Sequence, residues 1–215
     1  MRGNIFMAGM LTYFLYVGFT YTFSVIFNAM FLVYVAVFSA SLFATITALA
    51  TFDIHMLSNN VSAGFPQRGI AIFMGVAGLG TLTLWLSELI GPIMNGQPPM
   101  NLGPYTTMFT HGFDSAVITP AAVLTGILLL QRKPLGYLLA APLLILCTNI
   151  GVVVIAQTIS QSVAGIVFPI QVYIGMVGSW VSMGAFAVVL TIKFFRSIQE
   201  STLPQKTILK MGAVS

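Results

Sequence analysis

Residues 4–52 read NIFMAGMLTYFLYVGFTYTFSVIFNAMFLVYVAVFSASLFATITALATF and contain no charged side chain. A helix that crosses a bilayer needs about 20 apolar residues, at a rise of about 1.5 Å each. The stretch is therefore too long for one crossing and too apolar for a soluble domain, so it turns back on itself. The most polar break inside it is Asn28, in VIFNAMF. This reading predicts a first helix over 5–26 and a second over 30–51. The start, MRGNIFMAGML, has one basic residue and no small-residue cleavage site after a short apolar core. It reads as a retained membrane helix and not as a signal peptide.

The whole chain has the same character. Of its 215 residues, 58% are hydrophobic and 6% charged, against about 25% charged in soluble domains. Such a surface is covered by lipid and not by water. The net charge of +4 comes without clustered basic patches on a polar fold, which excludes a nucleic-acid partner. The single Cys147 excludes an internal disulfide and reads as a small packed hydrophobe.

Outward from the opening stretch, DIHMLSNNVSAGFPQR (53–68) reads as a polar loop and 69–90 as a third helix. A Gly-, Pro- and Asn-rich loop follows, then a fourth helix over 114–130. QRKP is a tight turn with Pro134 at the start of a fifth helix over 135–157. TISQSVAG is a polar break, and a sixth helix covers 166–194. The expected fold is an all-α polytopic membrane helix bundle with six transmembrane helices. Residues 1–194 form its single domain and 195–215 a polar tail.

Numbering the sides alternately sets the orientation. Arg2, Arg68, Arg132, Lys133, Lys193, Arg196, Lys206 and Lys210 all fall on the side of the termini, and no Lys or Arg falls in the opposite loops. The positive-inside rule then makes both termini cytoplasmic, in the cell inner membrane. The basic residues of the tail suit anionic headgroups. On that side Asp53 reads as solvated loop, and His55 as a donor to the last carbonyls of the second helix.

On the opposite side several helices carry polar groups in their outer halves: Glu88, His111, Asp114, Asn149, Gln157 and Gln171, with Trp85 and Tyr105 at the same level. The inner halves carry hydroxyls (Thr47, Thr125, Ser182) and small residues spaced for close packing, Ala71-xxx-Gly75, Ala122-xxx-Gly126 and Gly178-xxx-Ser182. An outward-facing polar pocket is expected, formed by Glu88, Asp114, His111, Asn149, Gln171 and Trp85. Each residue also has a plainer explanation. Asp114 suits the N-cap of the fourth helix. His111 suits a solvated loop, Asn149 and Gln171 suit interhelical hydrogen bonds, and Trp85 suits the interfacial aromatic belt. Glu88 fits no cap, because the helix dipole disfavours an acid near a C-terminus.

No phosphate-binding, metalloprotease, nucleophile-elbow or haem-attachment motif is present. No cofactor is assigned, and a zinc site requires Glu88, His111 and Asp114 to converge.

DSAVITPAAVLTGILLLQRKPLGY, residues 114–137, resembles a pattern of bacterial polytopic membrane proteins. In it an Asp and a small residue open a helix, a Pro follows within two turns, and a basic pair precedes P-x-G-Y. The matching positions are Asp114, Ser115, Pro120, Arg132, Lys133, Pro134, Gly136 and Tyr137. FNAMFLVYVAVFSASLFA, residues 27–44, is similar to such proteins as well. The resemblance implies a prokaryotic inner-membrane protein and carries no activity.

Three functions follow as expectations. First is a small transporter or cation-binding protein: carboxylates without basic neighbours attract protons or small cationic solutes. If Glu88 and Asp114 meet, like-charge repulsion lets the pair carry a proton, with Pro120 and Pro169 as hinges. Second is a structural or interaction subunit. Third is a membrane-embedded enzyme using His111, Asp114 and Glu88. The expected partners are the lipid bilayer, a proton or small cation, and further copies of the chain.

Overall fold

The computed structural model describes residues 1–62 and 64–199. Of the expected tail, residues 200–215, including Glu200, Lys206 and Lys210, lie outside the described residues. The described chain is helical and holds no strand. In chain order the helices are α1 (Arg2–Ser24), α2 (Phe31–Ala50), α3 (Ile54–Asn59), α4 (Gln67–Met94), α5 (Phe109–Leu130), α6 (Pro134–Val163) and α7 (Ile170–Ser197). All except α3 are long and apolar enough to cross a membrane, six in total. Large apolar side chains such as Leu32, Phe43, Ile72, Val76 and Val152 remain exposed on the outside. A bundle apolar both inside and out is a membrane-embedded one.

Asn28 stands in the turn between α1 and α2. Its Oδ1 accepts from the Met30 amide at 2.9 Å and its Nδ2 donates to the Ile26 carbonyl at 3.0 Å. Helices α4, α5 and α6 overrun the expected limits, while α2 stays within them, α1 ends at Ser24 and α7 starts only at Ile170. α5 starts at Phe109 and not at Asp114, because Phe109 and Phe113 pack their rings on Phe19 of α1 at 5.2 and 4.6 Å. α6 continues through the TISQS segment to Val163. The loop over 53–68 contains α3. Asp53 is not idle there: it caps α3, accepting from the His55 and Met56 amides at 2.9 and 3.0 Å. His55 is an exposed residue of α3 whose amide serves that cap, so it does not close α2.

α6 is the centre of the bundle. It touches α1, α5, α7 and α3, while α2 leans on α1 and α4 on α5. Its first half, Gly136 to Cys147, is almost continuously buried. Lipid tails are as apolar as leucine, so close contact and not hydrophobic exclusion holds such helices together. Small residues permit that contact. A Cβ on Gly151 of α6 would lie 2.7 Å from the Gly184 Cα of α7, and a Cβ on Gly126 of α5 2.9 Å from the Ala71 carbonyl of α4. The second contact joins two of the small-residue pairs legible in the sequence.

One end of the bundle is tied shut. The Arg2 guanidinium donates to the Ile198 carbonyl at 2.6 and 2.9 Å, and Val61 pairs with Ile198. Phe65, Tyr137 and Phe194 pack edge to face at 5.2 and 5.5 Å. The Gln67 amide side chain donates to the Leu129 carbonyl. Arg2, Arg68, Arg132, Lys133, Lys193 and Arg196 gather at this end.

Replacing Gly151 by valine is expected to cost about 1–3 kcal/mol through overpacking against α7, read as a lower unfolding midpoint of the detergent-solubilised protein. Gly80→Ala is the control and leaves the midpoint unchanged or raised, since a Cβ there meets nothing within 4 Å.

Candidate functional site

The other end of the bundle holds the polar residues. On α4, Trp85 and Glu88 are three residues apart, and on α5 so are His111 and Asp114. That spacing places each pair on one helix face. α4 and α5 are consecutive, antiparallel and in contact, so the outer members meet and the inner members meet. Nε2 of His111 lies 3.0 Å from Oε2 of Glu88, and Nε1 of Trp85 donates to Oδ2 of Asp114 at 3.2 Å. The His111 and Trp85 rings join the two levels, with centroids 4.0 Å apart.

Two further residues complete the arrangement. Tyr16 of α1 donates its hydroxyl to Oδ1 of Asp114 at 3.1 Å. Asn101, in the short turn Met100–Leu102, donates to Oε2 of Glu88 at 2.8 Å. Nothing in the sequence separates Tyr16 from the other tyrosines or Asn101 from other loop amides, since both act through long-range contacts.

The burial is graded. Asp114, Trp85 and His111 are 4%, 4% and 8% exposed, whereas the Glu88 side chain is 27% exposed. Glu88 therefore faces solvent or headgroups, and Asp114 is sealed behind it. Asp114 accepts two hydrogen bonds, both from uncharged donors. Among the described residues its carboxylate has no cation within ion-pair distance, and the one acid–base pair there is Glu88–His111.

This overturns two plainer readings. Asp114 is not an N-cap: it lies inside α5 and caps nothing with its side chain. His111 is not a solvated loop residue but a buried helical one. Both corrections have one cause, the aromatic packing that carries α5 back to Phe109. Trp85, expected in an interfacial belt, is buried, and Trp180 of α7 lies 5.8 Å from it, centroid to centroid.

α5 is irregular where Asp114 sits. Asp114–Ile118 forms a π-helical turn in which the Thr119 amide reaches back five residues to the Asp114 carbonyl. Pro120 follows directly. Its missing N–H and the clash of its ring with the carbonyl four residues earlier disfavour a regular α turn, and a wider turn accommodates both. In α4, Pro92 likewise leaves the Glu88 carbonyl without its helical donor. Below Asp114 lies a cavity of ≈ 30 Å³, lined by Gly78, Thr81, Thr119, Cys147, Ile150 and Trp180 among others. That is room for a water molecule or a small ion.

Asn149 and Gln171 do not join these residues. Asn149, on α6, donates to the Ile145 carbonyl of its own helix at 2.8 Å and faces the Met10 sulfur at 3.9 Å. Gln171 and Gln157 are exposed. Glu88 and Asp114 do not bond each other; each has its own partners, with the Trp85–His111 stack linking them. The convergence that a zinc site requires is not formed, and among the described residues no three His, Cys, Asp or Glu side chains gather to hold a metal ion.

In comparisons with known proteins, no family model, no curated protein and no solved structure matches the chain.

Tyr16→Phe and Trp85→Phe each remove one donor from Asp114 and are expected to cost about 1 kcal/mol apiece. The double variant departs from additivity, because both donors act on one carboxyl group. Unfolding of the four proteins in a denaturing detergent checks both statements.

Proposed function

We propose that this protein is a small transporter or binding protein for a proton or small cation, with Asp114 as the group that holds the ion. The observation that carries this reading is the buried Asp114 carboxyl inside a membrane helix. It is held by the neutral donors Tyr16 and Trp85 and linked through the Trp85–His111 stack to the partly exposed Glu88. Ionisable groups within membrane helices are costly and characteristically mark ion and proton pathways.

The chemistry of the three titratable groups supports a sequence of roles. Glu88 collects a cation or proton at the surface, since nothing basic but His111 lies beside it. His111, one hydrogen bond away, has two ring nitrogens, one to accept a proton and one to release it. Asp114, one turn deeper on the same face of α5, is the inner proton site. A proton reaches it from His111 only by way of a bridging water, since among the described residues no hydrogen bond joins the two. The small cavity under Asp114, lined by Thr81 and Thr119 among apolar side chains, has room for one water or ion beside the carboxyl. Met74, Ala122, Leu143 and Leu146 form part of its apolar wall. Glu88 is thus at the surface, and Asp114 lies closed off behind Trp85 and His111. The π turn at Asp114–Ile118, with Pro120, is the hinge that passage to the other side requires.

Orientation belongs to the same proposal. The basic end is cytoplasmic by the positive-inside rule, so Glu88 opens outward from the inner membrane. A fluorescent protein fused after Ser215 is expected to mature, and alkaline phosphatase inserted at Gly96 to be active. The opposite pair of results overturns the orientation.

The ion-binding role is tested on the reconstituted protein. Infrared difference spectra between acid and alkaline buffer are expected to contain a carboxyl band that Asp114→Asn removes. Proton uptake into proteoliposomes under an imposed potential is expected to fall, in the same variant, to the rate of empty liposomes. A band that persists unchanged in Asp114→Asn refutes Asp114 as the binding group. A wild-type flux no greater than that of empty liposomes refutes proton transport.

A further inference from the structure

At the tied end of the bundle, α4 begins beside the turn that joins α5 to α6. Between them lies an open cleft of ≈ 410 Å³, whose lining includes Pro66, Gln67, Arg68, Leu130 and Arg132. Two arginines, Arg68 and Arg132, line this cleft, and its lining holds no carboxylate. Of the described acids, Asp53 caps α3, and Glu88 and Asp114 are at the opposite end.

The backbone at Arg132 adds an independent observation. Arg132 has φ 56°, the one positive φ at a non-glycine position among the described residues. The Arg132 amide donates to the Leu129 carbonyl and the Lys133 amide to the Leu128 carbonyl, each at 2.9 Å. This is the double hydrogen-bonded helix ending that ordinarily places glycine at its left-handed residue. The turn alone therefore favours glycine, and the arginine is held there against a conformational cost. Such strain concentrates where a side chain has a binding task.

The remaining wall suits an anion. Arg68 and Gly69 lie in the first turn of α4, where helix amides have no intrahelical acceptor. The Gln67 side chain, donating to the Leu129 carbonyl, fastens this turn to the end of α5. Apolar helix begins at once on both sides, with Ile70 buried in the core and Leu130 exposed. The cleft consequently lies at the level of lipid headgroups.

We propose that this cleft binds a phosphate group, presented by an anionic phospholipid headgroup and gripped by Arg68 and Arg132. Arginine pairs its planar fork with two phosphate oxygens at once. The proposal concerns the end of the bundle opposite Asp114 and does not rest on ion binding there.

The test uses the full-length protein in detergent, with phosphatidylglycerol, phosphatidylcholine or inorganic phosphate added. Native mass spectrometry is expected to show phosphatidylglycerol retained in preference to phosphatidylcholine. In Arg68→Gln and Arg132→Gly that retention weakens by at least about tenfold, the loss expected for even one hydrogen bond to a charged group. Arg132→Gly separates binding from folding: glycine suits the turn, so its unfolding temperature without lipid stays level or rises while binding falls. Stabilisation by inorganic phosphate as strong as that by the lipid, and lost in the same variants, keeps the phosphate site but assigns it to free phosphate. Equal retention of the two lipids, with no effect of inorganic phosphate, overturns the proposal. So does undiminished phosphatidylglycerol binding in both variants.

Discussion

The hydrocarbon of a bilayer offers no hydrogen bonds, so a polar group placed inside this protein must be answered from within it. Asp114 is where that constraint is most demanding. Its carboxyl needs donors, and the two it has come from different helices, Tyr16 on α1 and Trp85 on α4. Both reach it only because α1, α4 and α5 meet at one level. That meeting depends on the close approach of α4 to α5 at Ala71 and Gly126 and on the aromatic packing of Phe19 against Phe109 and Phe113. The close packing and the polar network support each other.

The two ends of the bundle are built differently. At the end with Arg2 and Ile198, backbone pairing, arginine-to-carbonyl bonds and an aromatic trio fix the chain. At the other end α5 and α7 each carry a π turn, Asp114–Ile118 and Tyr173–Val177, and α4 carries Pro92. Wider turns and missing helical bonds lower the resistance to local rearrangement. The polar network therefore sits on the less regular end, where a change in its charge has backbone that can respond.

Much of the fold was legible in residue order. A charge-free stretch twice the length of one span had to turn back, and Asn28 marks the place. The limits of the helices were less legible, most consequentially at polar residues. His111 and Asp114 on a hydrophilic segment look like loop and cap, because a polar side chain at the edge of an apolar run reads the same whether or not a partner covers it. The TISQS segment was misleading in the same way: serines and threonines in a helix bond back to their own carbonyls, as Thr158 and Ser162 do, so they need not end it. One signal was present in the sequence. Trp85 with Glu88, and His111 with Asp114, share a three-residue spacing on consecutive antiparallel helices. Two such faces can meet member to member, which pairs Glu88 with His111 and Trp85 with Asp114.

The sequence by itself determined that the chain forms apolar helices, how many are long enough to cross a membrane, and which end of the bundle gathers basic residues. Those properties follow from composition and spacing along one chain, and they do not depend on how the helices pack. Only the tertiary structure decided that Tyr16 and Asn101 belong with the acids while Asn149 and Gln171 do not. It also decided that Asp114 is sealed inside and Glu88 left open, and that Arg68 and Arg132 share a cleft. Each of these depends on the rotation and depth of one helix against another. In a membrane, small residues, prolines and a handful of hydrogen bonds set that geometry, and their partners lie tens of residues away along the chain.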